Sequence, residues 1–291
     1  MSGRTYRVTG INLKGIPLGE SDRIITILTR EQGLIRAVAK GSRKQPSKLG
    51  GRMEQFVVND LLIAHGRWPA QTDASQRLQR IAQAETLQSF PRLSRSLAHL
   101  TAAQYLAEVT LMLALSDQTQ EDLFVLLVEH LERLEQAPDP EAVLPLLTHG
   151  LYHLLALAGF APQVQACHYC HSEFRGRLAG SVFFSPQSGG MVCEPCRVAQ
   201  RPNPISLVSG SVLQALGSLP NPTLPSLSED SLPLAAWLGT ERLLRRILEH
   251  HAEREIRSAG LLASCYALTP PEALTSPSKL QGSVNGSHGF S

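Results

Sequence analysis

Two Cys-x-x-Cys pairs, separated by 22 residues, constrain this chain more than any other feature. They are "CHYC" (Cys167–Cys170) and "CEPC" (Cys193–Cys196). Each pair presents two thiolates on a tight knuckle. Two knuckles supply four soft sulfur ligands in the tetrahedron that Zn²⁺ accepts. The segment between them, "SVFFSPQSGGMV", reads as two short strands turning at Ser188-Gly189-Gly190, which would return the second knuckle to the first. The expectation is one structural Zn²⁺ per chain held by Cys167, Cys170, Cys193 and Cys196. With every position filled by protein, no open site remains for a catalytic water. A redox role explains two pairs joined by a hairpin poorly. His168 and His171 flank the first knuckle and are expected beside the ligands or in solvent. Cys265, in "LLASCYAL", reads as a core cysteine.

The rest of the chain changes texture once. From Tyr6 to about Leu87 it reads as β: "YRVTGINL" alternates, "RIITILT" is short and β-branched, and "GLIRAVA" follows a turn. "EQFVVNDLLIA" and "QRLQRIAQAETL" come next. Five short strands with one long basic loop fit a closed Greek-key barrel of the OB type. Periodicity does not separate this from an SH3-like barrel of similar size. After Phe90-Pro91 the apolar spacing becomes helical, beginning with "RLSRSLAHLTAAQYLAEVTLMLAL". "TQEDLFVLLVEHLERLE" has Thr119 placed to cap an acidic first turn. "EAVLPLLTHGLYHLLALAG" is a third helix, a short one is expected at Ser209–Gly217, and Leu234–Ser258 reads as a last amphipathic helix.

The fold class is therefore α+β and multidomain. An OB-fold barrel spans 1–88. A mainly α-helical domain spans 89–162 plus 202–262, with a zinc module, 163–201, inserted in it. A tail poor in large apolar residues, 263–291, is expected to be disordered. Ala142 to Ser172 lacks any charged residue, but its apolar runs fall short of the ~20 residues a membrane span needs. With no secretory signal visible at the N-terminus, a cytoplasmic protein is expected.

A formal net charge of +2 hides an asymmetry. Residues 1–80 hold 14 Lys and Arg against 6 Asp and Glu; the remainder holds 13 against 19. A basic head on an acidic body suits a polyanion-binding module. The stretch "AKGSRKQPSKLGGR" (Ala39–Arg52) concentrates that charge. The candidate contacts are Arg7, Lys14, Arg23, Arg36, Lys40, Arg43, Lys44, Lys48 and Arg52, with Arg43, Lys44 and Lys48 favoured. Stacking candidates are few: Tyr6, Phe56 and Trp68, with Phe56 expected in the core. Sparse aromatics argue for backbone binding of low sequence specificity. The competing reading is that these cations only blunt barrel edges. No phosphate-loop, nucleophile-elbow, HExxH or dinucleotide motif is present. Glu20 and Asp22 read as turn residues, so the chain reads as a non-enzyme.

The pattern "GESDRIITILTREQGLIRAVAKGSRKQPSKLGGRMEQF", followed by a helical region and "SVFFSPQSGGMVCEPC", resembles the bacterial RecO family of recombination mediators. The match rests on Gly19-Glu20, Thr29-Arg30 before Gly33, Lys40-Gly41, Ser47–Gly50 and the Gly189-Gly190 turn, and covers about residues 5–200. The resemblance implies an OB-fold, a helical domain and an embedded zinc module, although some members lack the cysteines. It implies binding to single- and double-stranded DNA and annealing of strands coated with single-strand-binding protein. It further implies RecA loading with RecR, RecF as a further participant, and docking of the C-terminal tail of single-strand-binding protein on the helical domain. A zinc-stabilised protein-interaction or RNA-binding scaffold is the alternative, and a hydrolase with an unrecognised site a third.

Overall fold

The computed structural model describes residues 5–66, 69, 71–174, 181–222 and 232–266. Five strands open the chain: β1 (Thr5–Leu18), β2 (Asp22–Thr29), β3 (Gly33–Ala39), β4 (Val58–Ala64) and β5 (Leu78–Gln88). They close a barrel in the order β1-β2-β3-β5-β4, with β4 returning to β1. Only β3 and β5 run parallel. This closed order is that of an OB-type barrel. β1 is long because it serves two neighbours: Thr5–Ile11 pair with β4 and Gly10–Leu18 with β2. Strict alternation in β3 sends Ile35, Ala37 and Ala39 inward, where they meet Val8, Ile25, Ile27, Leu61, Ile63 and Ile81.

Three helices follow: α1 (Leu97–Leu113), α2 (Glu121–Gln136) and α3 (Pro140–Leu157). Ser96 caps α1 through the His99 amide, and Asp139 caps α3 through that of Ala142. These side chains satisfy N–H groups that the helix itself leaves open. Thr119 does not cap α2; its hydroxyl donates to the Glu31 carbonyl at 3.4 Å. A small sheet then forms from β6 (Val182–Ser185), β7 (Gly190–Cys193) and β8 (Ser206–Val208), with α4 (Glu194–Gln200) between the last two. α5 (Gly210–Ser218), α6 (Leu234–Ala252) and α7 (Ser258–Cys265) complete the helical body.

The last helix expected over Leu234–Ser258 ends at Ala252, and a further helix, α7, starts at Ser258. Glu253 adopts a left-handed conformation (φ 50°) and ends α6, and the Ile256 amide turns back to the Glu249 carboxylate at 3.1 Å. Tyr266 follows α7 and donates to the Pro140 carbonyl at 2.8 Å. Helix α7 thus carries the ordered chain past Leu262. The remainder of the expected tail, 267–291, lies outside the described residues, as does Trp68.

Barrel and helical body share one core. Ile11, Leu13, Leu28, Phe56 and Val58 belong to the same buried cluster as Tyr105, Leu127 and Leu151. The β2–β3 turn is hydrogen-bonded to the α1–α2 connection: the Leu34 amide donates to the Leu115 carbonyl at 2.8 Å and the Gln120 amide to Arg30 at 2.9 Å. Gly33 makes this approach possible. It has φ 64°, and a Cβ there would lie 2.2 Å from the Leu115 oxygen. Inside the body, buried Tyr105 on α1 donates to Glu241 on α6 at 2.7 Å, and Arg245 pairs with the same carboxylate at 3.0 Å. Among the described residues no helix is long and apolar enough to cross a membrane.

Candidate nucleic-acid interface and metal centre

The basic loop between β3 and β4 is pinned at both ends. At its start, Asp22 accepts from the Gly41 amide at 2.8 Å, and the Arg43 amide donates to Ser21 at 3.0 Å. The Gly41 amide, and then the Ser21 hydroxyl and nearby lysines, hold the Asp22 carboxyl below its ordinary range. At its end, the Arg52 carbonyl accepts from the buried amides of Asn12 (2.8 Å) and Asn59 (2.9 Å), and Asn12 also reaches the Glu54 carbonyl. These two asparagines were unmarked in sequence, since an Asn within a strand gives no hint of which carbonyl lies across from it. Glu20 is exposed in the β1–β2 turn and touches none of this.

Held this way, the loop forms one wall of a groove of about 720 Å³ against the outer faces of β1, β4 and β5. Among the described residues six cations line it: Arg7, Lys40, Lys44, Lys48, Arg52 and Arg80. Asp60 and Glu85 are the carboxylates among its described lining residues, and Asp60 pairs with Arg7 at 3.5 Å. Five of the nine expected residues therefore converge. Arg80 was not singled out; β4–β5 pairing sets it beside Ala64 and the parallel β3–β5 pairing beside Val38. The other four lie elsewhere. Arg43 turns its guanidinium onto the Gly19 carbonyl (3.0 Å), and Arg23 pairs with Glu54 at 2.8 Å. Arg36 sits between Thr26 and Leu78 in the sheet. Lys14 lines a separate cleft of about 330 Å³ with Arg254 and Arg257, where barrel meets helices.

No described aromatic residue lines the groove. Phe56 is buried at 4% exposure, and Tyr6 bonds Gln79 at 2.6 Å with its ring against His65. What the described residues of the groove offer a ligand is positive charge without stacking platforms.

The β6–β7 hairpin does what its glycines suggested. It turns at Gly189 (φ 64°), and Val182 pairs with Cys193. The first knuckle is fastened to this hairpin by the His168 amide, which donates to Met191 at 2.8 Å. His171, also left-handed at φ 57°, closes the knuckle through its amide to the Cys167 carbonyl at 2.9 Å. The four sulfurs of Cys167, Cys170, Cys193 and Cys196 come within 4.8 Å of one another, and Cys170 and Cys193 are 3.7 Å apart. Thiolates placed tetrahedrally at ~2.3 Å from zinc would stand about 3.8 Å apart, so the donor set and its spacing fit. The Cys193 amide donates to the Cys167 sulfur at 3.4 Å. Hydrogen bonds from the Ser172 hydroxyl and amide favour the Cys170 thiolate and bring it down to about 6. His168 and His171 are exposed and stand outside the sulfur cluster.

An OB-type barrel fused to a helical body that carries a four-cysteine metal-binding cluster is the class this architecture defines. Comparison with known proteins narrows it. The family model described as "Recombination protein O N terminal" matches residues 1–90, and "Recombination protein O C terminal" matches 94–259. A protein of Synechococcus sp. (strain JA-2-3B'a(2-13)) named "DNA repair protein RecO" is 77% identical over 97% of this chain and 97% of its own length. The protein of that name from Gloeobacter violaceus is 46% identical over 95% of this chain and 100% of its own length. The chain belongs to the RecO family. Membership carries a general role in DNA repair and recombination, that of a non-catalytic mediator.

Proposed function

We propose that the groove beneath the basic loop holds the phosphate backbone of DNA, single- and double-stranded, and that the protein uses it to anneal complementary strands coated with single-strand-binding protein. With RecR it then promotes RecA loading, with RecF as a further participant. The helical body docks the C-terminal tail of single-strand-binding protein. The observation that carries this reading is the convergence, among the described residues, of six cations and no aromatic side chain on one groove. Such a surface tracks phosphates and tolerates any sequence, as an annealing protein requires. In the same reading the four thiolates hold one structural Zn²⁺, which fixes the two knuckles and leaves no open ligand position.

Annealing of complementary strands precoated with single-strand-binding protein tests the proposal. The protein should accelerate annealing, and a Lys40→Ala, Lys44→Ala, Lys48→Ala variant should lose most of that acceleration. A variant as fast as the parent would remove the groove from the mechanism. Equal or tighter binding to RNA, without annealing, would favour the RNA-binding scaffold instead.

A further inference from the structure

A second group of metal-ligating side chains lies in the helical body. His130 on α2 and His149 and His153 on α3 each place a ring nitrogen within 4.8 Å of the other two. His149 and His153 are four residues apart and so share one face of α3. His130 faces them across the helix pair. Gly150 leaves room for it, since a Cβ there would stand 3.1 Å from the His130 ring. His130 and His149 are buried, while His153 is partly open to solvent.

The hydrogen bonds fix where the protons sit. His149 Nε2 is 2.7 Å from the Asn221 carbonyl and His153 Nε2 is 3.1 Å from that of Leu219. A carbonyl only accepts, so both Nε2 atoms carry hydrogen and both rings present an Nδ1 lone pair. The Arg133 guanidinium donates to His149 Nδ1 at 3.3 Å, and His130 Nε2 lies 3.1 Å from His153 Nδ1. His130 Nδ1 is buried with no partner. Burial, and then the neighbouring imidazoles and Arg133, keeps His130 neutral down to about 2. At His149 and His153 the neutral imidazoles are oriented by carbonyls on their far nitrogens, as metal-ligating histidines are.

We propose that His130 Nε2, His149 Nδ1 and His153 Nδ1 form a second metal site, distinct from the cysteine cluster, that takes a borderline divalent ion such as Zn²⁺, Co²⁺ or Ni²⁺. The 3.1 Å between His130 and His153 is close to the ~3.3 Å expected between nitrogens held tetrahedrally at ~2.0–2.1 Å. Three protein ligands leave the fourth position to water. Loading the site moves the His130 proton from Nε2 to the buried, unpartnered Nδ1 and breaks the bond to His153. It also displaces Arg133 from His149 toward Glu129, its existing ion-pair partner one turn away. The ion would tie α2 to α3 and, through the two carbonyls, to the chain leaving α5.

Metal counting on the untagged full-length protein tests this. After saturation with Zn²⁺ and removal of loosely bound ion, the wild type should hold about two equivalents, one in each cluster. His153→Gln should hold about one, with unchanged circular dichroism. A His250→Gln, His251→Gln variant should still hold about two. With Co²⁺ the second equivalent should appear without the thiolate charge-transfer absorption that marks the first. A wild type that stops at one equivalent refutes the site whether or not any variant folds. So does His153→Gln that matches the wild type, or loss of the second ion from the His250/His251 variant.

Discussion

Gly33→Ala should destabilise the protein by about 3 kcal/mol, enough to lower its melting temperature by roughly 6–12 °C. Two costs combine. An L-residue at φ 64° is worth ~1–2 kcal/mol by itself. The new Cβ would also meet the Leu115 oxygen at 2.2 Å and the Gln118 oxygen at 2.6 Å, and both are backbone atoms that cannot swing aside. To make room, the β2–β3 turn must lift from the α1–α2 connection and break the Leu34–Leu115 hydrogen bond. Gly41→Ala separates the two costs. Its φ is 66°, yet its Cβ would meet nothing closer than the Lys44 side chain at 3.9 Å. It should cost only ~1–2 kcal/mol by thermal or urea unfolding. Equal losses at the two positions would mean that the barrel is not locked to the helical body as described.

Removing the Zn²⁺ proposed for the four cysteines is the second large effect expected. Chelation, or Cys193→Ser, should lower the melting temperature by roughly 10 °C or more, because binding energy at a structural zinc site is folding energy. The loss should centre on the small sheet. Without the ion four thiols crowd within 4.8 Å, and β6 and β7 carry Phe184 and Met191 into the shared core. No knuckle residue lines the basic groove, so affinity for oligonucleotides below the new melting temperature should be unchanged. Protein that contains no metal when purified under reducing conditions, or that melts identically with and without chelator, would contradict the structural role.

Much of this was legible in the sequence because the signals are local. Cys-x-x-Cys spacing with a Gly-Gly turn fixes its own geometry, and β-branched runs between turn residues announce barrel strands. What escaped needed neighbours that only the fold supplies. Arg80 became a groove residue because two strand pairings set it there, and Arg43, at the centre of the basic stretch, left the groove through a bond to Gly19. The break after α6 has no glycine or proline to mark it, since Glu253 itself takes the left-handed turn. β8 was hidden in a Pro- and Ser-rich stretch because three residues are too few for a period to show. His149 and His153 lie one turn apart on the mostly apolar helix α3. Their partner His130 is on another element, so the cluster has no signature in one dimension.

In the proposed function the pinned loop and the barrel face below it hold phosphates. Salt dependence of single-stranded DNA binding tests it most directly. Each phosphate contact contributes about −0.7 to the slope of log K against log salt. Lys40→Ala, Lys44→Ala, Lys48→Ala should therefore flatten the slope by roughly 2, whereas Arg43→Ala should change it by less than about 0.7. A triple variant with the wild-type slope, or Arg43→Ala flattening it as much as the triple, would contradict the account.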